Sequence, residues 1–210
     1  MVTGDPRRAF ALAGALTEQP KMSHQARGLW GYTGLTGNGM PLTVQSTGIG
    51  ASSATAVLGD LAGLGVRRIV RLGTCVAPEE GPAQGEVLLV EEAIVLDGAS
   101  AHLTGGRHRL RPDPRLYELL AGLAPPVSVS SHDLVARLDP LGVRPDPEAA
   151  VRDLQTAATF AAGDRFEMKT AAILVVAGTG EGEILPENEI GEILIEVGRR
   201  VVGRLETHPD

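Results

Sequence analysis

Residues 42–74 read LTVQSTGIGASSATAVLGDLAGLGVRRIVRLGT. Leu42 to Thr47 alternates apolar and polar side chains, which is the period of a strand. Gly48 and Gly50 end it. Ala51 to Leu64 is rich in Ala, Leu and Val, carries Ser52 and Ser53 in its first turn and stops at Gly65, so it predicts a helix. Arg68 to Leu72 predicts a second, buried strand that ends at Gly73-Thr74. A strand–helix–strand unit of this length implies parallel strands, because the helix carries the chain back to the end from which it started.

The same alternation of elements continues outward. Tyr32 to Val44 predicts a hairpin turning at Gly37-Asn38-Gly39. Glu86 to Leu96 is nearly continuous in apolar residues, as suits a strand covered on both faces. Helices are expected at Pro114 to Leu123, Glu148 to Ala162 and Glu187 to Leu205, and strands at Val127 to Ser131 and Thr170 to Val176. Asp139 to Pro147 and Thr179 to Pro186 are expected as loops. Strands alternating with helices argue for an α/β fold with a mostly parallel or mixed sheet. The length suits one domain, over 1–206, with a frayed tail at 207–210.

Composition narrows the function. The formal net charge of −7 disfavours a nucleic-acid partner, since the phosphate backbone would be repelled. No apolar run approaches the ~20 residues of a membrane span, so no membrane partner is expected. Cys75 is the lone cysteine, which precludes an intrachain disulfide and fits a cytoplasmic location. It has no signature of a thiol nucleophile, so a small buried hydrophobe is expected there. His24, His102, His108, His132 and His208 show no metal-ligand spacing, and no metal is expected.

Three stretches carry chemistry. Gly4-Asp5-Pro6-Arg7-Arg8 is a turn into a helix start, where backbone N–H groups favour an anion and an arginine one turn in adds a charged fork. Gly48-Ile49-Gly50-Ala51-Ser52 places glycines between strand and helix, where a ligand can approach the backbone; it does not match the dinucleotide fingerprint. Arg71 interrupts an apolar run at the carboxyl end of a strand, so its charge must be paired or must face a ligand.

GDPRRA, RGLWGYTG, VQSTGIGASSA and LGVRRIVRLGTC follow one another in order. Together they resemble the purine nucleoside phosphorylase and uridine phosphorylase family, most of all its bacterial hexameric purine branch. The match is specific over 4–98, looser over 99–147, and returns at Asp153 to Phe160 (DLQTAATF) and Ala171 to Val176 (AAILVV). The resemblance implies a three-layer α/β/α fold around a central mixed β-sheet. It implies phosphorolysis of purine nucleosides to free base and ribose 1-phosphate, with inorganic phosphate as co-substrate and no cofactor. Gly4, Arg8, Arg71 and Thr74 match the family's phosphate ligands. Arg27 matches an arginine that enters a neighbouring subunit's phosphate site, which implies a dimer-based homo-oligomer, a hexamer.

The departures from the family fall on the nucleoside side. Where it carries Met-Glu, with the glutamate on the ribose hydroxyls, this chain has Leu154-Gln155, which lacks the charge. Where it carries an acid that assists the leaving base, this chain has Gly178 after Ala177; Glu181, Glu183 or a water are the candidates to replace it. The stacking aromatic aligns with Val135, and Ile49 joins Gln155, Leu154 and Val135 as the expected nucleoside contacts. His132-Asp133 lies near the expected base pocket. A leader that brings a histidine to the neighbouring subunit is expected to be missing. Two alternatives follow: a phosphorylase-fold protein that binds phosphate or a phosphorylated ligand without turnover, and a nucleosidase that uses water.

Overall fold

The structure, a computed structural model, describes residues 1–135, 138, 147–180 and 182–208. The chain opens with β1 (Val2–Thr3), α1 (Pro6–Leu16) and β2 (Glu18–His24); a 3-10 turn at Ala26–Gly28 leads to β3 (Gly31–Leu35) and β4 (Pro41–Ser46). Then come α2 (Gly50–Gly63), β5 (Arg68–Ala77), β6 (Val87–Leu96), α3 (Gly98–Thr104), β7 (Arg109–Leu110), α4 (Pro114–Leu120) and β8 (Pro126–His132). The chain closes with β9 (Val151–Asp153), α5 (Thr156–Phe166), β10 (Lys169–Thr179) and α6 (Glu187–Glu206).

The expected parallel unit is present: β4 and β5 both run parallel to β1, which lies between them. The sheet is mixed, and part of it closes on itself. β5 pairs with β10 in parallel, β10 with β6 antiparallel, β6 with β8 and β8 with β9 in parallel, and β9 with β5 antiparallel. β1, β4, β3 and β2 extend from this ring as an open flange.

Helices cover both faces, and β10 shows why its sequence has no polar phase. Ala171, Ile173, Val175 and Ala177 face one core with Leu12, Leu16, Leu116 and Leu194 from α1, α4 and α6. Ala172, Leu174 and Val176 face the other with Phe160 and Ala161 of α5. Each fully buried Leu, Ile or Val stabilises by roughly 1.5–3 kcal/mol, so a strand covered on both sides has no position to give to a polar group. In α1 the buried residues Ala9, Leu12, Ala13 and Leu16 lie on one helical stripe.

Two expectations change. Glu148 to Ala162 is not one helix: Val151–Asp153 is a strand whose backbone bonds β8 and β5, and the helix begins only at Thr156. Three residues are too few to show a strand period, and the small-residue run after them carries the helical pattern. β5 continues beyond Leu72 to Ala77. β2 had no apolar alternation to reveal it, since it is an exposed edge strand. Of the expected tail, the Thr207 hydroxyl donates to the carbonyls of Gly203 and Arg204, while 209–210 lie outside the described residues.

Candidate functional site

The candidate site lies where β1 and β4 end, beside Arg71 and Thr74 within β5. Asp5 caps α1 by accepting from the backbone N–H groups of Arg7 (2.6 Å) and Arg8 (3.3 Å), with Pro6 presetting the first turn. The Arg8 side chain reaches β5, where its Nη1 lies 3.5 Å from Thr74 Oγ1. The other edge of the Arg8 guanidinium holds Glu187, the first residue of α6, through Nε (2.5 Å) and Nη2 (2.8 Å).

Arg71 takes the opposite direction. Strand alternation puts Leu72 and Thr74 on the α1/α6 side of β5 and Arg71 and Cys75 on the α5 side. Arg71 is buried, and three buried groups accept from it: Thr156 Oγ1 (3.3 Å), Gln155 Oε1 (3.0 Å) and Asp153 Oδ2 (3.0 Å). Its side chain folds back along the strand, so a Cβ at residue 73 would sit 2.6 Å from Arg71 Cζ, which explains why glycine stands there. Asp153 also accepts from Ser131 Oγ (2.6 Å) and from Thr156 N and Oγ1, so the buried charge is paired and fully hydrogen-bonded. Burial pushes the nearby Cys75 thiol far up, the Asp153 carboxylate adds to that shift and Arg71 opposes it; this thiol is no nucleophile.

Gln155 is buried and its amide is saturated. Oε1 accepts from Thr47 Oγ1 (3.1 Å) and Arg71, and Nε2 donates to the carbonyls of Gly48 (2.8 Å) and Gly50 (3.1 Å). A carboxylate could not make the last two bonds, having no N–H to give. The glutamine therefore latches the glycine loop. Gly48 needs its positive φ of 72°, and a Cβ there would also meet Ser53 Oγ at 2.6 Å. A Cβ at Gly4 would lie 3.3 Å from Gly48 O and 3.7 Å from Gln155 Oε1, so Gly4 closes this group.

The structure thus gathers the expected phosphate residues into two groups, Arg8 with Thr74 and Arg71 with Gln155 and Gly4, on opposite faces of β5. Arg27 lies exposed on the 3-10 turn with φ 56°; Leu29 of the same segment would touch a Cβ at Gly48. Ile49 is 81% exposed, Leu154 and Val135 are half-buried, and Asp133 Oδ2 accepts from Gly98 N.

Beside Gly178 the space is filled. A Cβ there would meet Ile184 Cδ1 at 2.6 Å, and the nearest Glu183 atom is its carbonyl oxygen at 3.5 Å. Gln84 Nε2 ties that carbonyl to the Ala177 carbonyl, and Leu185 N donates to Ala177 O (2.7 Å). The Glu183 side chain is exposed; Glu181 lies outside the described residues. Sequence reasoning missed Asp153, Thr156, Ser131 and Glu187. The need of a buried Arg71 for a counter-charge was the available signal, but not which acid would answer it.

Among the described residues no cluster could hold a metal, and no helix is long and apolar enough to cross a membrane.

Helices on both faces of a mixed sheet define an α/β protein, with Gly4, Gly48 and Gly50 following its strands and Arg71 within β5. The family model of the Phosphorylase superfamily matches residues 1–206, and the chain belongs to that family. It is similar to the uridine phosphorylase of Haemophilus influenzae, with 39% identity over 102 residues, 49% of this chain and 40% of that protein. It is also similar to the DeoD-type purine nucleoside phosphorylase of Oceanobacillus iheyensis, with 35% identity over 94 residues, 44% of this chain and 40% of that protein. Against uridine phosphorylase of Escherichia coli it is 36% identical over 103 residues, 49% of this chain and 40% of the relative. The chain thus spans about two fifths of the length of the curated relatives it matches.

Proposed function

We propose that this chain cleaves nucleosides by phosphorolysis, a pentosyl transfer to inorganic phosphate, and that purine nucleosides are its substrates. The observation that carries this is Arg8 meeting Thr74 beside the capped start of α1. One phosphate oxygen bonds C1′ of the sugar while the C–N bond breaks, and its electron pair leaves with the base. Arg8 supplies charge-assisted bonds to the phosphate and the Thr74 hydroxyl a further donor, and the bound anion stabilises the positive charge developing on the sugar. Gly178 gives the departing base no acid, so turnover is slow; general acid help is worth ~10²–10⁴-fold. Both kinds of relative bear on the base: uridine phosphorylases and purine phosphorylases align alike. Exposed Arg27 completes the phosphate site of a neighbouring copy in a dimer-based hexamer. A cytoplasmic location accompanies this chemistry.

The test is base release from a panel of purine and pyrimidine nucleosides at high protein concentration, with and without phosphate. Phosphate-dependent release, weakened by Arg8→Ala, is expected. No release from any nucleoside would refute the enzyme. The same release without phosphate would mean hydrolysis instead. One observation favours phosphate binding without turnover: the Gln155 amide is saturated by protein and Ile184 fills the space beside Gly178. Calorimetric phosphate binding together with silence across the panel would select it.

A further inference from the structure

Two carboxylates sit on the two arginines, and they differ in kind. Asp153 is 0% exposed and accepts from Arg71, Ser131 and Thr156 together, so nothing from solvent can replace it. Glu187 is 48% exposed, and among the described residues its carboxylate accepts only from Arg8. It does so with both oxygens on the Nε–Nη2 edge, the flat two-donor fork that a phosphate takes in the same geometry. Arg8 itself is only 14% exposed. Apart from Glu187, its guanidinium meets Thr74 Oγ1, at 3.5 Å from Nη1.

We propose that Glu187 is a built-in competitor for the oxyanion at Arg8: phosphate enters by displacing the Glu187 carboxylate from the Nε–Nη2 edge, and Glu187 thereby sets the affinity of the site for phosphate. This rests on the phosphate site proposed above. The carboxylate holds the guanidinium charge balanced until an anion with more oxygens, able to reach Thr74 as well, takes its place. Having no second partner among the described residues, Glu187 swings into water when released.

The test is calorimetric titration of inorganic phosphate into the full chain and into Glu187→Gln, which keeps the size of the side chain and removes its charge. Glu189→Gln is the control, since it removes a charge from the same first turn of α6 but is not bonded to Arg8. A solvent-facing ion pair is worth up to about fivefold in an equilibrium, so Glu187→Gln should bind phosphate about two- to fivefold more tightly, and Glu189→Gln as the parent does. Equal or weaker binding by Glu187→Gln overturns the competitor role, showing that Glu187 merely holds Arg8, and leaves the phosphate site standing. If neither protein binds phosphate at tens of millimolar, the phosphate site and the competitor fall together. Should Glu187→Gln not fold, the Arg8 Nε–H resonance of the parent, assigned by its loss in Arg8→Lys, gives the answer. It should shift as phosphate is added, and a fixed resonance while phosphate binds overturns the proposal.

Discussion

Arg71 donates through Nη2 to Asp153 Oδ2 at 3.0 Å, and the two side chains are 5% and 0% exposed. The pair joins β5 to the end of β9 and, through Thr156, to the start of α5. Asp153→Ala would leave a guanidinium buried without its counter-charge and take the acceptor from Ser131 and Thr156. Breaking such a pair on one side costs about 3–5 kcal/mol. Urea unfolding should show a loss of that size; a loss comparable to a surface substitution would contradict the burial of the pair.

Gln155 is held by four hydrogen bonds, two of which only an amide can make. Gln155→Glu, which restores the acid of the family pattern, should face the carbonyls of Gly48 and Gly50 with a carboxylate and loosen the loop. An unsatisfied buried group costs roughly 1–3 kcal/mol, and a chain of this size loses about 2–4 °C in Tm per kcal/mol. Differential scanning calorimetry should show the drop. An unchanged or higher Tm would mean that the latch adds nothing to stability.

Placing an acid at residue 178, where the proposed reaction lacks one, needs two substitutions. Gly178→Asp alone drives a Cβ to 2.6 Å from Ile184 Cδ1, so it should destabilise and bring no activity. Gly178→Asp with Ile184→Ala opens the space, and phosphorolysis should rise by at least about tenfold, toward the ~10²–10⁴ of general acid help. Base release by chromatography measures it. If the single variant gains as much as the double, Ile184 is not what blocks the position.

Asp97 caps α3, accepting from Ser100 N at 2.7 Å, while its Oδ2 and Ser100 Oγ are buried without a partner among the described residues. Burial raises its carboxyl above the ordinary aspartate range, opposed by the bond from the Ser100 backbone and reinforced by Asp133 and Asp153. The folded state therefore holds this proton to higher pH than the unfolded chain does. Its contribution is full below the unfolded value of about 3.9 and is lost as pH rises through the folded value. Asp97→Asn keeps the cap and has no charge to bury. It should be more stable than the parent at pH 7, with the advantage shrinking toward pH 4, as urea unfolding at both pH values would reveal; a constant difference would remove the titration from the account.

Much of the fold was legible because its signals are short. The alternation in Leu42 to Thr47, the apolar run of β10 and the turn at Asp5-Pro6 each act within a dozen residues, where period and capping decide the local form. Gly48 and Gly50 stand between β4 and α2 as expected, whereas Arg71, expected at a strand end, lies within β5 because the strand runs on to Ala77. β9 was hidden because three residues carry no period, and its strand state comes from the partners on either side.

By itself the sequence determined an α/β order and the parallel unit around β5, since these follow from local propensity and pattern. Only the tertiary structure decided that the sheet closes through β9, that Asp153 neutralises Arg71 across 82 positions, that Glu187 reaches Arg8 across 179, and that Ile184 stands beside Gly178. The physical reason is that a buried charge requires some counter-charge, but which acid supplies it depends on where distant strands and helices are brought to lie, and no short stretch of chain encodes that distance.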